Sequence, residues 1–329
     1  MTAHNVARLG AVVIGRNEGE RLRLCLRSVL AGAQFVVYVD SGSTDDSLAT
    51  ATALGAHTCQ LDLRLPVTAA RARNEGARQL LALAPGLEFM QFVDGDCEVV
   101  EGWLDSAQTF LDLQPDVAAV CGRRRERFPE RSIYNLLCDI EWNTPVGQAK
   151  ACGGDVLMRV QAFQQVSGYR DDLIAGEEPE LCIRLRTAGW RIWRLDAEMV
   201  LHDAAMTRMS HWWMRSARTG FAYAEGVHLH GAPPERHWVR EWRSAWLWGL
   251  GLPVSLLALA ALLGPVALLG FAVYPFQVLR LFARGIGPWR TRMARAAFLV
   301  LGKFAEAWGQ LKFLAHRLSG TRSRLIEYK

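Results

Sequence analysis

Short apolar runs alternate with helical patterns through the first hundred residues, and this alternation restricts the chain more than any other feature. Residues 9–14 (LGAVVI) read as a buried strand. Residues 20–30 then repeat apolar side chains at Leu22, Leu26, Val29 and Leu30, a helical spacing. A second apolar strand, 35–39, ends at Asp40. The polar run 41–47 leads into a helix near 46–54, with Ser43 or Thr44 placed to cap it. A third helix spans 69–83 and a third clear strand 88–93. Strands that alternate with helices pair in parallel, so the expected fold is α/β, with a mostly parallel sheet flanked by helices. Sheets of that kind bind ligands beyond the carboxyl ends of their strands.

Past residue 96 the pattern loosens. A helix is expected over 103–113, a strand over 117–121 and a short strand over 156–159. A late helix opens at Glu177 and runs to about residue 188. The Arg-rich stretch 123–131 (RRRERFPER) is read as a solvated loop. The seven cysteines are scattered, without a CxxC pair or zinc spacing, which fits a reducing compartment. The first apolar run is too short for a signal segment, so the amino-terminal domain is expected in the cytoplasm.

Phe92-Val93-Asp94-Gly95-Asp96 places two carboxylates one residue apart where an apolar strand ends. Two readings stay open on these residues alone. One is a solvated acidic turn. The other is a site for a hard divalent cation, Mg²⁺ or Mn²⁺, that holds a phosphorylated ligand. Arg16 and Glu18 follow the first strand, Asp40 ends the second, and Arg71 and Arg73 start the helix after the 62–68 loop. The topology brings all of these to the same sheet edge. A carboxylate such as Asp40 can accept a hydrogen bond from a nucleobase, and guanidinium groups suit phosphate.

Residues 245–283 carry no charge until Arg280. A membrane span needs about 20 apolar residues, so two short spans fit, meeting near Gly264-Pro265. Arg236, Arg240 and Arg243 precede the stretch; Arg280, Arg284, Arg290, Arg292 and Arg295 follow it. Basic residues at both ends put both on the cytoplasmic side, so a helical hairpin, full or re-entrant, is expected. Trp238, Trp242, Trp246 and Trp248 suit an interfacial belt. Beyond it, 293–318 is amphipathic, suited to an anionic lipid surface or to packing on the catalytic domain. The formal charge of +5 is concentrated in this part, and its apolar setting points to a membrane rather than nucleic acid. The expected division is a catalytic domain over 1–232, a hairpin over 233–284 and a basic amphipathic helix over 285–329.

Six blocks in this order resemble family 2 glycosyltransferases of the membrane-associated bacterial type. They are VVIGRNEGERLRLCLRSVL, VYVDSGSTDDS, ARARNEGAR, FVDGDCEV, GGDVLMRVQAFQQVSGY and GEEPELCIRLRTAGWRI, and together they cover about residues 9–205. The resemblance implies a GT-A fold and an inverting, metal-dependent transfer of a sugar from a UDP- or GDP-sugar. It implies that Asp40 reads the base, and that Arg16, Glu18, Arg71, Arg73, Asp94, Gly95 and Asp96 line the nucleotide-sugar site. Asp96, with Asp94, would meet the metal-bound diphosphate, and His202 is a further metal candidate. The family's catalytic base is the acid of a Glu-Asp dyad. Here the dyad is Glu177-Glu178, so Glu178 takes the usual Asp position and Glu177 stays a second candidate. Gly153, Gly154 and Asp155 resemble the acceptor-side loop. Arg215 and Arg218, three residues apart, are candidates for holding the diphosphate or for meeting lipid headgroups.

The hairpin favours a lipid-linked saccharide acceptor at the cytoplasmic face of the inner membrane, in cell-surface or extracellular polysaccharide assembly. Two other classes stand beside this reading: a nucleotidyltransferase and a non-catalytic membrane scaffold. The first lacks a Gly-rich phosphate loop after the first strand; Asp94, Asp96 and Glu178 speak against the second.

Overall fold

The computed structural model describes residues 8–319, and the chain divides into two compact units, Met1–Ala205 and Met206–Lys329. The boundary expected at residue 232 lies inside the second unit.

The first unit is built on one nine-stranded sheet. Its strands are β1 (Leu9–Gly15), β2 (Phe35–Asp40), β3 (His57–Gln60), β4 (Phe89–Asp94), β5 (Cys97–Val99), β6 (Val117–Glu126), β7 (Gly147–Ala149), β8 (Val156–Arg159) and β9 (Arg191–His202). They lie in the order β3-β2-β1-β4-β8-β6-β9-β5, and β7 joins the side of β9. The α/β class holds, with helices flanking the sheet. The parallel part expected of β1, β2 and β4 is present, and β3, not foreseen from the sequence, extends it as β3-β2-β1-β4. Beyond it the sheet is mixed, because β8 runs antiparallel to both β4 and β6.

β1 shows why this half folds as it does. Successive side chains of a strand point to opposite faces. Ala11 and Val13 pack with Leu22, Leu26 and Val29 of the helix Glu20–Leu30. Val12 and Ile14 pack on the other face with Ala70, Ala72, Ala77 and Leu80 of the helix Ala69–Leu83. Both faces are buried, which is why the strand reads as a continuous apolar run. Thr68 caps the second helix by accepting the Arg71 N–H at 3.1 Å. Gly76 lets that helix lie directly on the sheet; a Cβ there would collide with Val12 and stand 3.0 Å from Val39.

Ser43 and Thr44 do not cap the following helix, which starts later, at Ser47. They are tied to the first loop instead. Asn17 N–H donates to Ser43 Oγ at 2.9 Å, and Thr44 N–H donates to Asn17 Oδ1 at 2.7 Å.

The second unit is helical. Met209–His230 packs along the long helix Trp289–Ser319 through small residues: a Cβ on Gly220 or Gly309 would overlap the facing backbone at Glu306 or Ala217. The buried stripe of the long helix is Ala296, Val300, Gly302, Ala305, Ala307, Gly309, Gln310 and Phe313, while Leu301, Trp308 and Leu314 stay exposed. The amphipathic segment expected here therefore presents its small residues to protein. Residues 320–329 of that expected segment lie outside the described residues.

Two apolar helical stretches, Val239–Leu263 and Pro265–Arg284, are long and apolar enough to cross a membrane. They meet at Gly264, whose φ of 96° turns the chain where the sequence pattern put the break. Leu257, Leu262, Leu263, Val266 and Leu269 are all exposed on them.

Candidate active site

The parallel strands set the site's position. In register, Gly15 of β1 faces Asp40 of β2, and Ile14 faces Asp94 of β4. Asp40 and Asp94 thus end neighbouring strands at one carboxyl edge, as expected for an open α/β sheet.

Arg73 is the centre of the cluster. It is only 2% exposed, at the start of the helix that Thr68 caps. Its Nη2 donates to Asp94 Oδ1 at 2.7 Å and its Nη1 to Glu177 Oε1 at 2.9 Å, with Glu178 Oε1 at 3.5 Å. A second guanidinium meets Asp94 from the other side. Arg124 lies 3.5 Å from Asp94 Oδ2 and 3.2 Å from Asp155 Oδ2, and stacks over Trp142 with 4.8 Å to the ring centre. Burial raises the cost of charging Asp94, but Arg73 and Arg124 outweigh it and hold its carboxyl below the usual range.

Gly154 closes the loop over this cluster. A Cβ there would clash with Arg73 Nη2 and stand 3.0 Å from Asp94 Oδ2 and 3.1 Å from Glu178 Oε1. Only glycine lets the backbone approach so near. Gly153 beside it faces open space. Asp155 is fully buried. It accepts the Asp94 N–H at 3.0 Å and lies against Arg124 and the Cys97 thiol. Burial pushes its carboxyl up. Its oxygens support Asp94 from within rather than facing an acceptor.

Glu177 and Glu178 open the helix Glu177–Thr187. Glu177 is buried in its bond to Arg73, whereas the Glu178 side chain keeps 19% of its surface exposed. Burial first, and then the charge of Glu177, push the Glu178 carboxyl up to about 7 against the pull of Arg73. A carboxylate poised there, half in reach of solvent, suits a general base near neutral pH. This separates the two acids that the sequence leaves together.

Asp96 and His202 make the adjoining half of the site. His202 Nε2 is 3.3 Å from Asp96 Oδ2, and both residues are buried. β5 and β9 bring them together, since Cys97 pairs with His202 across the strands. Cys97 Sγ also lies in this group, where burial pushes its thiol up. The site gathers the carboxylates of Asp94, Asp155, Glu177 and Glu178 around Arg73 and Arg124, and those of Asp96 and Glu126 around His202. That excess of acid, with a carboxylate and an imidazole nitrogen converging, fits a divalent cation. A mixed oxygen and nitrogen set suits Mn²⁺ better than Mg²⁺, which favours oxygen.

The other expected residues make contacts of their own. Asp40 is 3% exposed; its carboxylate accepts from Gly42 N–H at 3.1 Å, Ser43 N–H at 2.9 Å and Tyr38 O–H at 3.1 Å, and so shapes the 41–47 loop. Glu18 pairs with Arg21 at 2.6 Å, and its side chain lies against Gly95, where a Cβ would stand 3.3 Å from Glu18 Cγ. Arg16 is exposed on the same loop. Arg71 turns away from the acids and donates to the carbonyls of Asp62, Leu65 and Pro66. Arg215 and Arg218 sit on the helix Met209–His230 of the second unit.

Sequence reasoning does not reach Arg124, Glu126 or Trp142. Residues 123–126 of the stretch read as a solvated loop are the end of β6, and its alternation carries Arg124 and Glu126 inward on one face. That two-residue period is the signal that could have found them.

Residues 11–162 match the family model described as glycosyl transferase family 2. The pre-mycofactocin glycosyltransferase of Mycobacterium tuberculosis is 29% identical over 228 residues, 64% of this chain and 45% of that protein. The chain thus spans less than half the length of this curated relative. Among solved structures, a mannosyltransferase from Pyrobaculum calidifontis in complex with GDP-Man and Mn²⁺ superposes with a TM-score of 0.62 at 19% identity, over 93% of this chain and 87% of that one. Residues 1–349 of S. aureus TarS give a TM-score of 0.51 at 15% identity, over 95% and 92% of the two chains. Both likenesses establish the GT-A fold.

Proposed function

We propose, for a chain whose residues 11–162 belong to glycosyl transferase family 2, that it moves a sugar from a UDP- or GDP-sugar to a hydroxyl of a lipid-linked saccharide, with inversion at the anomeric carbon. The observation that carries this reading is the position of Glu178, an acid pushed up to about 7 beside the Arg73–Asp94 pair and under the Gly154 backbone. An acceptor hydroxyl is a poor nucleophile at neutral pH. Glu178 accepts its proton as the oxygen attacks the anomeric carbon. Glu177, held by Arg73, keeps Glu178 basic by its charge. The bond to the nucleoside diphosphate breaks on the opposite face, so one displacement inverts the centre.

Asp96 and His202 would hold a divalent cation, which supplies charge stabilisation to the departing diphosphate when bound. Asp94, kept ionised between two guanidiniums, would meet donor hydroxyls. Asp40 and the 41–47 loop take the base. The GDP-Man and Mn²⁺ held by the Pyrobaculum calidifontis mannosyltransferase support the donor class and the cation. The apolar stretch 239–284, with its exposed leucines and flanking arginines, supports attachment to an anionic membrane at its cytoplasmic face, and with it a lipid-linked acceptor in polysaccharide assembly.

The test is a panel of UDP- and GDP-sugars offered to the purified full chain with Mn²⁺, read by thermal shift. One donor should raise the unfolding midpoint in a Mn²⁺-dependent manner, and the Asp96→Asn variant should lose that shift. A panel without any stabilising nucleotide sugar would contradict the reading.

A further inference from the structure

His202 carries an unanswered hydrogen-bond group. Its Nε2 faces Asp96, but its Nδ1 is buried and has no hydrogen-bond partner among the described residues. Glu126 Oε2 lies 3.5 Å from it. Glu126 is itself 1% exposed at the end of β6. It is held from several directions: Oε1 accepts from Asn135 Nδ2 at 3.1 Å and from Phe128 N–H at 3.2 Å, and Oε2 accepts from Ala204 N–H at 3.1 Å. Asn135 is fully buried, so this frame is closed off from solvent on that side. Trp142 packs edge-on against the imidazole, with ring centres 4.7 Å apart, and limits its rotation. A carboxylate fixed this firmly beside one ring nitrogen sets which nitrogen carries the proton. With the proton on Nδ1, the lone pair of Nε2 is directed at Asp96, where a cation would lie.

We propose that Glu126 is a positioning residue for the cation site: it accepts the Nδ1 proton of His202, fixes the tautomer, and presents Nε2 as a ligand beside Asp96. This rests on the reading of Asp96 and His202 as the cation's holders. A small closure of the 3.5 Å gap completes the bond. Carboxylates placed behind a ligating histidine commonly raise its basicity, and their loss weakens metal binding about 10–100-fold.

The experiment titrates Mn²⁺ into the metal-stripped full chain in detergent, with saturating UDP or GDP, and reads free Mn²⁺ by electron paramagnetic resonance. Wild type, Glu126→Gln, Asn135→Ala and His202→Ala are compared, with metal-free unfolding midpoints measured alongside. Glu126→Gln should raise the Mn²⁺ Kd by about 10–100-fold. Asn135→Ala, which loosens the frame but keeps the carboxylate, should raise it less. An unchanged Kd for Glu126→Gln, with His202→Ala weakened, overturns the proposal and leaves the cation site standing. The proposal is also overturned if Asn135→Ala weakens Mn²⁺ as much as Glu126→Gln while both lower the metal-free midpoint equally, because Glu126 would then be part of the frame alone. If wild type binds no Mn²⁺, or His202→Ala binds as wild type does, the cation reading falls and takes the proposal with it.

Discussion

Glu178 and Glu177 are adjacent, share one arginine and differ in what the surroundings let them do. Arg73 bonds directly to Glu177 at 2.9 Å and only approaches Glu178 at 3.5 Å. Burial and the neighbouring charge then move Glu178 to about 7. A base must be ionised to accept a proton, so transfer should rise with pH and show an acidic limb centred near 7. The sign of a second effect follows from the same causes. Glu177→Gln removes the charge that raises Glu178 and frees Arg73 to draw nearer, so the acidic limb should move to lower pH. A pH profile of kcat/KM for both proteins measures this; a limb that stays put or moves upward would break the link between the two acids. The sequence alone leaves the two as alternatives, since order along the chain does not say which carboxylate the arginine takes.

At the scale of elements, what was legible depended on polarity pattern. β1, β2 and β4 are apolar on both faces and were readable as strands, and the Asp40 and Asp94 ends came with them. β3 is a polar edge strand, exposed along much of its length, and gave no apolar signal. The end of β6 was unreadable for the opposite reason: Arg124 is half-buried and Glu126 buried because they pair with Asp94, Asp155 and His202, partners far along the chain. Strand direction was hidden as well, because side-chain alternation is the same in parallel and antiparallel strands; the place of β8 between β4 and β6 comes from pairing alone. The helix Ala69–Leu83 carries Arg73 to the site, and Gly76 sets its distance from the sheet. Gly76→Ala should therefore destabilise the first unit by about 1–3 kcal/mol through overpacking against Val12 and Val39. The midpoint of urea unfolding checks it, and an unchanged or higher midpoint would show that the helix can withdraw without cost.

For the whole molecule, two chemistries share one chain. Residues 9–205 carry the six sequence blocks and the acid-rich site, and the remainder carries the apolar stretches and the arginines that flank them. The turn at Gly264 was legible, since a Gly-Pro pair interrupts an otherwise uncharged run. Arginines at a lipid surface act through charge, which about 1 M salt screens to within about 3 Å. Apolar insertion does not weaken under those conditions. The full chain expressed in a bacterial host should thus stay with the membrane fraction through a wash at about 1 M salt and come off only with detergent. Release by salt alone would mean attachment through charge rather than through 239–284.

The most direct test of the site is a comparison of sugar transfer by wild type and Glu178→Gln, with the donor that the nucleotide-sugar panel identifies, a saccharide acceptor and Mn²⁺. If Glu178 meets the acceptor's proton rather than the diphosphate, as proposed, nucleotide-sugar binding should be kept while transfer falls by about 10²–10⁴-fold. Transfer at the wild-type rate by Glu178→Gln would contradict the assignment of Glu178 as the base.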